Sequence, residues 1–179
     1  MNASYFLVNT LFDLYLMVVL LRLWLQLAKA DFYNPFSQFV IKATHPIVGP
    51  LRKVLPSIGS LDTATLVLAL LVAGAKLFIL GLLAGGMYNI VSLLIGAAFV
   101  VLKEALSLMF WVLIIRALLS WVSQGQNPIE MVMHQLTEPF LAPIRRILPP
   151  MGGLDLSVLV AIIALQFIQI LIQDLVRGF

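Results

Sequence analysis

Cysteine is absent from this 179-residue chain, and charged residues make up only 11% of it. Without cysteine the protein has no disulfide, no thiolate metal ligand and no thiol nucleophile. The charged fraction is far below the roughly 25% typical of soluble domains. A soluble globular domain is therefore excluded.

Apolar residues dominate instead, at 62% of the chain with a mean hydropathy of +1.08, which indicates an integral membrane protein. The length leaves room for about four spans of about 20 residues each and for no separate soluble domain. The N-terminus has no positive leader and no small-residue cleavage site, so we expect it to be retained as the first span.

One stretch of the sequence occurs twice, as THPIVGPLRKVLPSIGSLD at 44–62 and TEPFLAPIRRILPPMGGLD at 137–155, at a constant spacing of 93 residues. Both copies hold three prolines, a basic doublet and a Leu-Asp step into an apolar run. This pattern predicts two tandem repeats, residues 1–84 and 99–179, joined by an apolar connection at 85–98.

Each predicted repeat consists of a span, a Pro-rich amphipathic interfacial segment and a second span. The spans are expected at Tyr5–Leu27, Thr63–Ala84, Phe99–Val122 and Leu156–Val176. Residues 87–98 then make the third helix long, tilted or broken, and a fifth crossing is the alternative. The predicted fold is an all-α integral membrane protein with four transmembrane helices as two tandem parallel repeats.

The interfacial segments begin at Asn34-Pro35 and Asn127-Pro128, where asparagine caps a helix and proline suits its first turn. Helical spacing predicts an apolar stripe in each copy, opposite a polar face that holds Ser37 in the first copy. The stripes are Phe36, Phe39, Val40 and Ala43, and Ile129, Val132, Met133 and Leu136.

The remaining prolines of each copy remove backbone donors, so we expect these helices to be short and to continue as a broken, partly extended path along the membrane surface. Asp62 and Asp155 are expected to cap the next spans, because a negative charge is favoured at a helix N-terminus.

Most of the basic residues lie in these two segments, which favours anionic membrane lipid over nucleic acid as a partner. The candidate lipid- or partner-binding residues are Lys42, Arg52, Lys53, Arg145 and Arg146. The positive-inside rule places both segments in the cytoplasm. The alternative is that these cations only set the topology.

Several polar residues lie within the expected spans, where an ionisable group is costly unless it has a partner. Asp13 and Lys76 each lie about eight residues, about 12 Å, from the outer ends of antiparallel spans and can form a pair. Such a pair serves either function or helix association. Gln166, Gln169 and Gln173 follow one side of the fourth span, whereas Lys103 and Glu104 are expected nearer an interface.

Catalytic, metal and cofactor sites are not predicted. His45 and His134 have no second ligand at a suitable spacing, and no nucleophile elbow or phosphate-binding loop is present.

The chain resembles the YggT (also YlmG) family of small multi-pass membrane proteins of bacteria and plastids. The resemblance lies in FYNPFSQFV at 32–40, the proline-rich stretch at 46–59, SWVSQG at 120–125 and PIRRILPPMGGLD at 143–155. It implies a bacterial inner-membrane location, no established enzymatic activity and no catalytic residues to carry over. Relatives are associated with osmotic or salt tolerance, with membrane organisation, and in a plastid branch with cytochrome assembly.

Two function hypotheses follow. The first is a non-enzymatic scaffold or assembly factor that engages anionic lipid and other membrane proteins through its cytoplasmic interfacial segments. The second is a small transporter or channel subunit for ions or osmolytes, with a polar route at Asp13, Lys76 and Gln169. Four spans make a thin pathway, so the second hypothesis requires a homo-oligomer.

Overall fold

The computed structural model describes residues 3–86, 89–122, 127–148 and 156–177. Within these ranges there are six α-helices: α1 (Ala3–Leu27), α2 (Pro35–Val54), α3 (Thr63–Leu83), α4 (Ile90–Val122), α5 (Pro128–Ile147) and α6 (Leu156–Arg177). Four of them, α1, α3, α4 and α6, are long and apolar enough to cross a membrane. Within the described residues, the predictions of an all-helical protein and of four helices long and apolar enough to span a membrane are therefore confirmed.

The spans pack around α4. The most extensive contact joins α1 and α3, which both contact α4, while α6 packs on α4 and α5. Small buried residues on α3, Ala64, Ala69 and Ala73, allow close helix contact, which drives association in lipid, where helices gain little from the hydrophobic effect. Helix α4 thus connects the α1–α3 pair to α6.

Two clusters of buried apolar residues hold the helices together. The larger draws on α1 to α5, with Leu16, Val19, Val40 and Leu136 among its members. The smaller joins α4, α5 and α6 through Leu113, Leu141, Val158, Ala161 and Leu165. Helices α2 and α5 are therefore part of the packed structure and do not merely rest on it.

Helix α4 is long, as expected, but it begins before the predicted third span at Phe99–Val122. It has 33 residues and begins at Ile90, so residues 90–98 are its first turns and the expected boundary at 98 falls inside one helix. At the α-helical rise it is about 50 Å long, against a hydrocarbon core of about 30 Å. Gly96 allows α4 to approach α3 closely, since a Cβ there would meet Leu77 at 3.0 Å.

The prediction of a short helix followed by a broken path is wrong for both Pro-rich segments. Helices α2 and α5 have 20 residues each and continue through two prolines, Pro46 and Pro50 in α2 and Pro139 and Pro143 in α5. All four prolines lie on the exposed face. The carbonyls that lose an amide donor therefore face the surroundings, while the buried face keeps its helical hydrogen bonds.

The third proline of the first copy does end its helix. Leu55 precedes Pro56 and has an extended backbone, with φ −114° and ψ 96°, because proline excludes the α conformation at the residue before it. Leu148 closes α5 with almost the same angles, φ −117° and ψ 92°. After α2 the chain turns at Gly59, whose φ is +61°.

The buried face of α2 is also rotated from the predicted stripe. It consists of Ser37, Val40, Thr44 and Val48, whereas Phe39 is 64% exposed. The α5 stripe is closer to prediction, since Val132, Met133 and Leu136 are buried and only Ile129 faces outward.

Candidate functional site

Helices α2 and α5 meet directly, although they are far apart in sequence. The Asn34 side chain donates through Nδ2 to the carbonyl of Pro128 at 2.8 Å. The backbone amide of Asp31 donates to Oε1 of Gln135 at 2.9 Å. Both helices therefore lie at the same end of the bundle. Together, Pro35–Val54 and Pro128–Ile147 are called the α2–α5 layer below.

The helix caps take part in this contact. Oδ1 of Asn34 accepts from the amide of Phe36 at 2.9 Å, so one side chain both starts α2 and joins it to α5. Asn127 caps α5 in the same way, accepting from the amide of Ile129 at 3.0 Å. Capping by both asparagines was predicted; the inter-helix bond was not.

Two buried arginines attach the layer to the spans. Arg22 of α1, 3% exposed, donates through Nη1 to Oγ1 of Thr44 at 2.7 Å. Arg116 of α4, 8% exposed, makes the same bond to Thr137 of α5. Each threonine donates in turn to the carbonyl four residues earlier, at 2.8 Å and 2.7 Å. Matching side chains therefore dock α2 on α1 and α5 on α4.

Arg52, a predicted lipid ligand, is bound within the protein. Its Nη2 lies 2.5 Å from Oδ2 of Asp62, whose side chain is fully buried, and also donates to Gln26 at 3.0 Å. The hydroxyl of Thr65 donates to the same carboxylate oxygen at 2.5 Å. Asp62 is the N-cap residue of α3, as predicted, but its side chain makes no capping hydrogen bond. Its carboxylate instead joins α2 to α3 through these side chains. Asp155 lies outside the described residues.

The electrostatics of Asp62 follow from these contacts. Burial by itself would raise the pKa of this carboxyl group, but hydrogen bonds from Arg52 and Thr65 and the positive charge of Arg52 favour the ionised form. The net effect is a pKa of Asp62 below its usual value. This is a structural ion pair.

Arg145 is likewise engaged. Its Nη1 lies 3.0 Å and 3.1 Å from the two carboxylate oxygens of Glu138. Nη2 of Arg116 reaches Glu138 at 3.4 Å, and Nε2 of His134 lies 3.3 Å from it. Glu138 therefore holds cationic groups from both α4 and α5 in one network.

The remaining predicted cations, Lys42, Lys53 and Arg146, are exposed. None of them forms an ion pair with a residue that the structure describes. Large apolar side chains are exposed on the same two helices: Phe39, Ile47, Val54, Met131, Phe140 and Ile147. The α2–α5 layer thus presents positive charge next to apolar surface.

Within the spans, Asp13 and Lys76 are brought together. Nζ of Lys76 lies 2.5 Å from Oδ1 of Asp13, and Nδ2 of Asn9 donates to the other carboxylate oxygen at 3.0 Å. Glu104 of α4 lies within electrostatic reach of both charges. It lies 14 residues after Ile90, the first residue of α4.

The three glutamines of α6 are not equivalent. Gln169 and Gln173 line a cleft of about 460 Å³ between α4 and α6, together with Lys103 and Ser107. Gln166 is not part of this lining. Nε2 of Gln169 is buried and has no hydrogen-bond partner among the described residues.

These features define a class. The protein is a helical membrane protein whose spans carry a surface layer of two proline-containing amphipathic helices. Across the described ranges, no group of three or more histidine, aspartate or glutamate residues is placed to hold a metal ion.

The chain belongs to the CCB3/YggT family, whose model matches residues 1–83 and 95–176. The protein YggT of Escherichia coli (strain K12) is 44% identical over 99% of this chain and 93% of its own length. A Vibrio alginolyticus protein of the proC 3′ region is 56% identical over 98% of this chain and 96% of its own. The resemblance found in the sequence is thereby confirmed. No solved structure matches the chain.

The roles of three residues were not predicted from the sequence. Thr44 and Thr137 occupy equivalent positions in the two copies, and each pairs with a buried arginine. That equivalence was a usable signal, because threonine was kept while its neighbours changed. Glu104 gave no comparable signal, since its approach to Asp13 depends on the rotation of α4.

Proposed function

We propose that this protein is a non-enzymatic scaffold or assembly factor of the bacterial inner membrane, with the α2–α5 layer as its working surface. The observation that carries the proposal is the hydrogen bond from Asn34 to the carbonyl of Pro128, which makes one surface of two separate segments. A surface assembled in this way is larger than one amphipathic helix and has a fixed shape. That is what a docking surface for other membrane proteins requires.

The proposed layer lies in the cytoplasmic interface. Lys29, Lys42, Lys53 and Arg146 are close to it in sequence, whereas residues 77–102 contain no basic residue. The positive-inside rule accordingly supports a cytoplasmic layer. With the layer on the cytoplasmic side, the N-terminal ends of α1 and α4 both lie on the opposite side of the membrane, and the two repeats are parallel. The two separate family matches, each running from span to span, support this arrangement.

The proposed lipid contacts are Lys42, Lys53 and Arg146, while Arg52 and Arg145 hold the layer together. A cation near an anionic surface contributes about 1 kcal/mol, so three of them contribute about 3 kcal/mol. Exposed apolar side chains of the layer insert beside the headgroups, as in other interfacial helices.

The experiment uses the full chain extracted from membranes into polymer-bounded lipid discs, followed by analysis of the lipids in each disc. The triple variant K42Q/K53Q/R146Q is expected to show less enrichment in phosphatidylglycerol than the wild type. The matched control K42R/K53R/R146K retains charge and is expected to keep it. Equal enrichment in both variants would refute lipid binding by this surface.

The side of the membrane is tested separately, because the chain has no native cysteine. Single-cysteine variants at Lys53 and Arg146 are expected to react with an impermeant maleimide only when the reagent has access to the cytoplasmic face of the membrane. Labelling of the two positions from opposite faces would rule out a single layer.

A second candidate function is favoured by the pair of Asp13 and Lys76, with Asn9 hydrogen-bonded to Asp13 and Glu104 within electrostatic reach. Polar groups from three spans at this depth are a starting point for an ion or osmolyte route in an oligomer. Purified protein in liposomes is then expected to pass ions or osmolytes, and D13N is expected to lower the rate of this flux. Absence of flux in every oligomeric state would eliminate this candidate.

A further inference from the structure

The cleft between α4 and α6 is separate from the α2–α5 layer. Lys103 lies 19 residues before the end of α4 at Val122, about 28 Å away at the α-helical rise, and the layer joins α4 at that end. On α6, Gln173 lies four residues before the last described helical position. The cleft therefore faces the leaflet opposite the layer.

Each polar side chain of the cleft can donate a hydrogen bond. Lys103 supplies an ammonium group, Ser107 a hydroxyl, and Gln169 and Gln173 supply amides from the facing helix. Nε2 of Gln169 is buried and unpaired among the described side chains and backbone groups. A buried donor without an acceptor costs about 1–3 kcal/mol, so this group calls for a ligand that accepts hydrogen bonds.

The charge of the cleft also indicates a ligand that accepts hydrogen bonds. Lys103 forms no salt bridge or hydrogen bond with a residue that the structure describes. The neighbouring Glu104 interacts electrostatically with Lys103 but also with Asp13 and Lys76, and it does not line the cleft. A lysine within a span is costly without a partner. An anionic acceptor would satisfy both Lys103 and Gln169.

The walls of the cleft decide which anion fits. Phe99, Val100, Leu106 and Ile172 make them apolar, and the volume of about 460 Å³ is within the range of small-molecule sites, about 300–1,000 Å³. The cleft opens sideways, since Phe99, Lys103 and Gln173 are exposed on helices that span the membrane. The ligand thus enters from the lipid and carries both an anionic head and an apolar chain.

We infer that the α4–α6 cleft binds the phosphate of an anionic phospholipid in the leaflet opposite the α2–α5 layer. Lys103 and Gln169 contact the phosphate oxygens from the two helices, and the acyl chains follow the apolar walls. This site is independent of the proposed scaffold function.

The test is native mass spectrometry of the purified full chain with phosphatidylglycerol and, in parallel, phosphatidylcholine. The wild type is expected to retain one phosphatidylglycerol that K103Q and Q169L bind about tenfold more weakly, since a charge-assisted bond or a buried donor is lost. K103R keeps the charge and is expected to retain the lipid. The matched control K42Q, which removes an exposed cation from the layer, is expected to leave this lipid bound.

Four outcomes would overturn the inference. K103Q that retains the lipid like the wild type would mean that Lys103 only extends to the interface. Equal retention of phosphatidylcholine would exclude recognition of the anionic head. Release of the lipid by millimolar inorganic phosphate, or a dimer that shields a fluorophore at F99C, would assign the cleft to a free anion or to a second copy of the chain.

Discussion

Lys76 and Asp13 form an ion pair between α3 and α1, with Nζ and Oδ1 2.5 Å apart. The lysine side chain is 10% exposed and the aspartate side chain 26% exposed, so the pair is partly shielded by the bundle. Asn9, one turn before Asp13, donates to its second carboxylate oxygen. The most extensive helix pair in the protein is thus also joined by charge.

Removal of one partner is expected to destabilise the fold more than removal of both. Breaking a buried pair costs about 3–5 kcal/mol because a charge is left unpaired, and partial exposure reduces this here to about 1–3 kcal/mol. D13L and K76M are each expected to lower the free energy of unfolding in detergent, whereas D13L/K76M regains most of the loss. Additive losses in the double variant would show that the two charges are not coupled.

The buried Arg–Thr bonds give a second prediction. T44V keeps the shape of the side chain but removes the oxygen that accepts from Arg22, leaving a buried guanidinium short of a partner. We expect a loss of about 1–3 kcal/mol in the free energy of unfolding, with T137V similar. T63V is the matched control, since its hydroxyl bonds to the Pro56 carbonyl at an exposed site. A loss in T63V as large as in T44V would contradict this prediction.

Much of the fold could be predicted because a span is defined by apolar length. The start of α4 could not, since residues 87–98 are apolar whether they cross the membrane, lie along it or extend a helix. Packing of Gly96 against Leu77 is one of the contacts that decide where α4 begins. The prediction of broken helices at the prolines was wrong for a related reason. Each proline removes an amide donor from the helix, but the sequence does not show which face of the helix loses it. In α2 and α5 the face that loses the donors is exposed.

The candidate site also contains contacts that could be predicted from the sequence and contacts that could not. The approach of Asp13 to Lys76 could be predicted because the helical rise fixes depth along a span. Arg52 and Lys53 could not be told apart, since both are cations in one doublet. One step along a helix turns the side chain by about 100°, which directs Arg52 to Asp62 and leaves Lys53 exposed. Rotation about a helix axis is set by tertiary packing.

The ion pair of Asp62 gives a prediction for pH. Since its pKa is lowered in the folded state, its contribution to stability is complete above the unfolded value of about 3.9 and is lost as pH falls through the folded value. The gap in unfolding free energy between wild type and D62N is therefore expected to be constant from pH 7 to about 5 and to shrink below about 4. A gap that widens on acidification would contradict the lowered pKa.

The last prediction separates the contact between α2 and α5 from helix capping. N34D keeps the oxygen that caps α2 but replaces the Nδ2 donor with an acceptor facing the carbonyl of Pro128. N127D makes the same change at the cap of α5, which is the equivalent position. We expect N34D to loosen the layer and N127D to leave it closed, because aspartate and asparagine cap helices about equally well.

Spin labels at Q38C and M131C, both exposed positions, report the distance between the two helices by pulsed electron paramagnetic resonance. In N34D the distance distribution is expected to broaden and shift to longer values, since a hydrogen bond worth about 1 kcal/mol becomes a repulsion between acceptors. In N127D it is expected to match the parent. Identical distributions in all three proteins would mean that the other contacts, including the bond from Asp31 to Gln135, are enough to close the layer. The bond from Asn34 would then no longer support a single working surface.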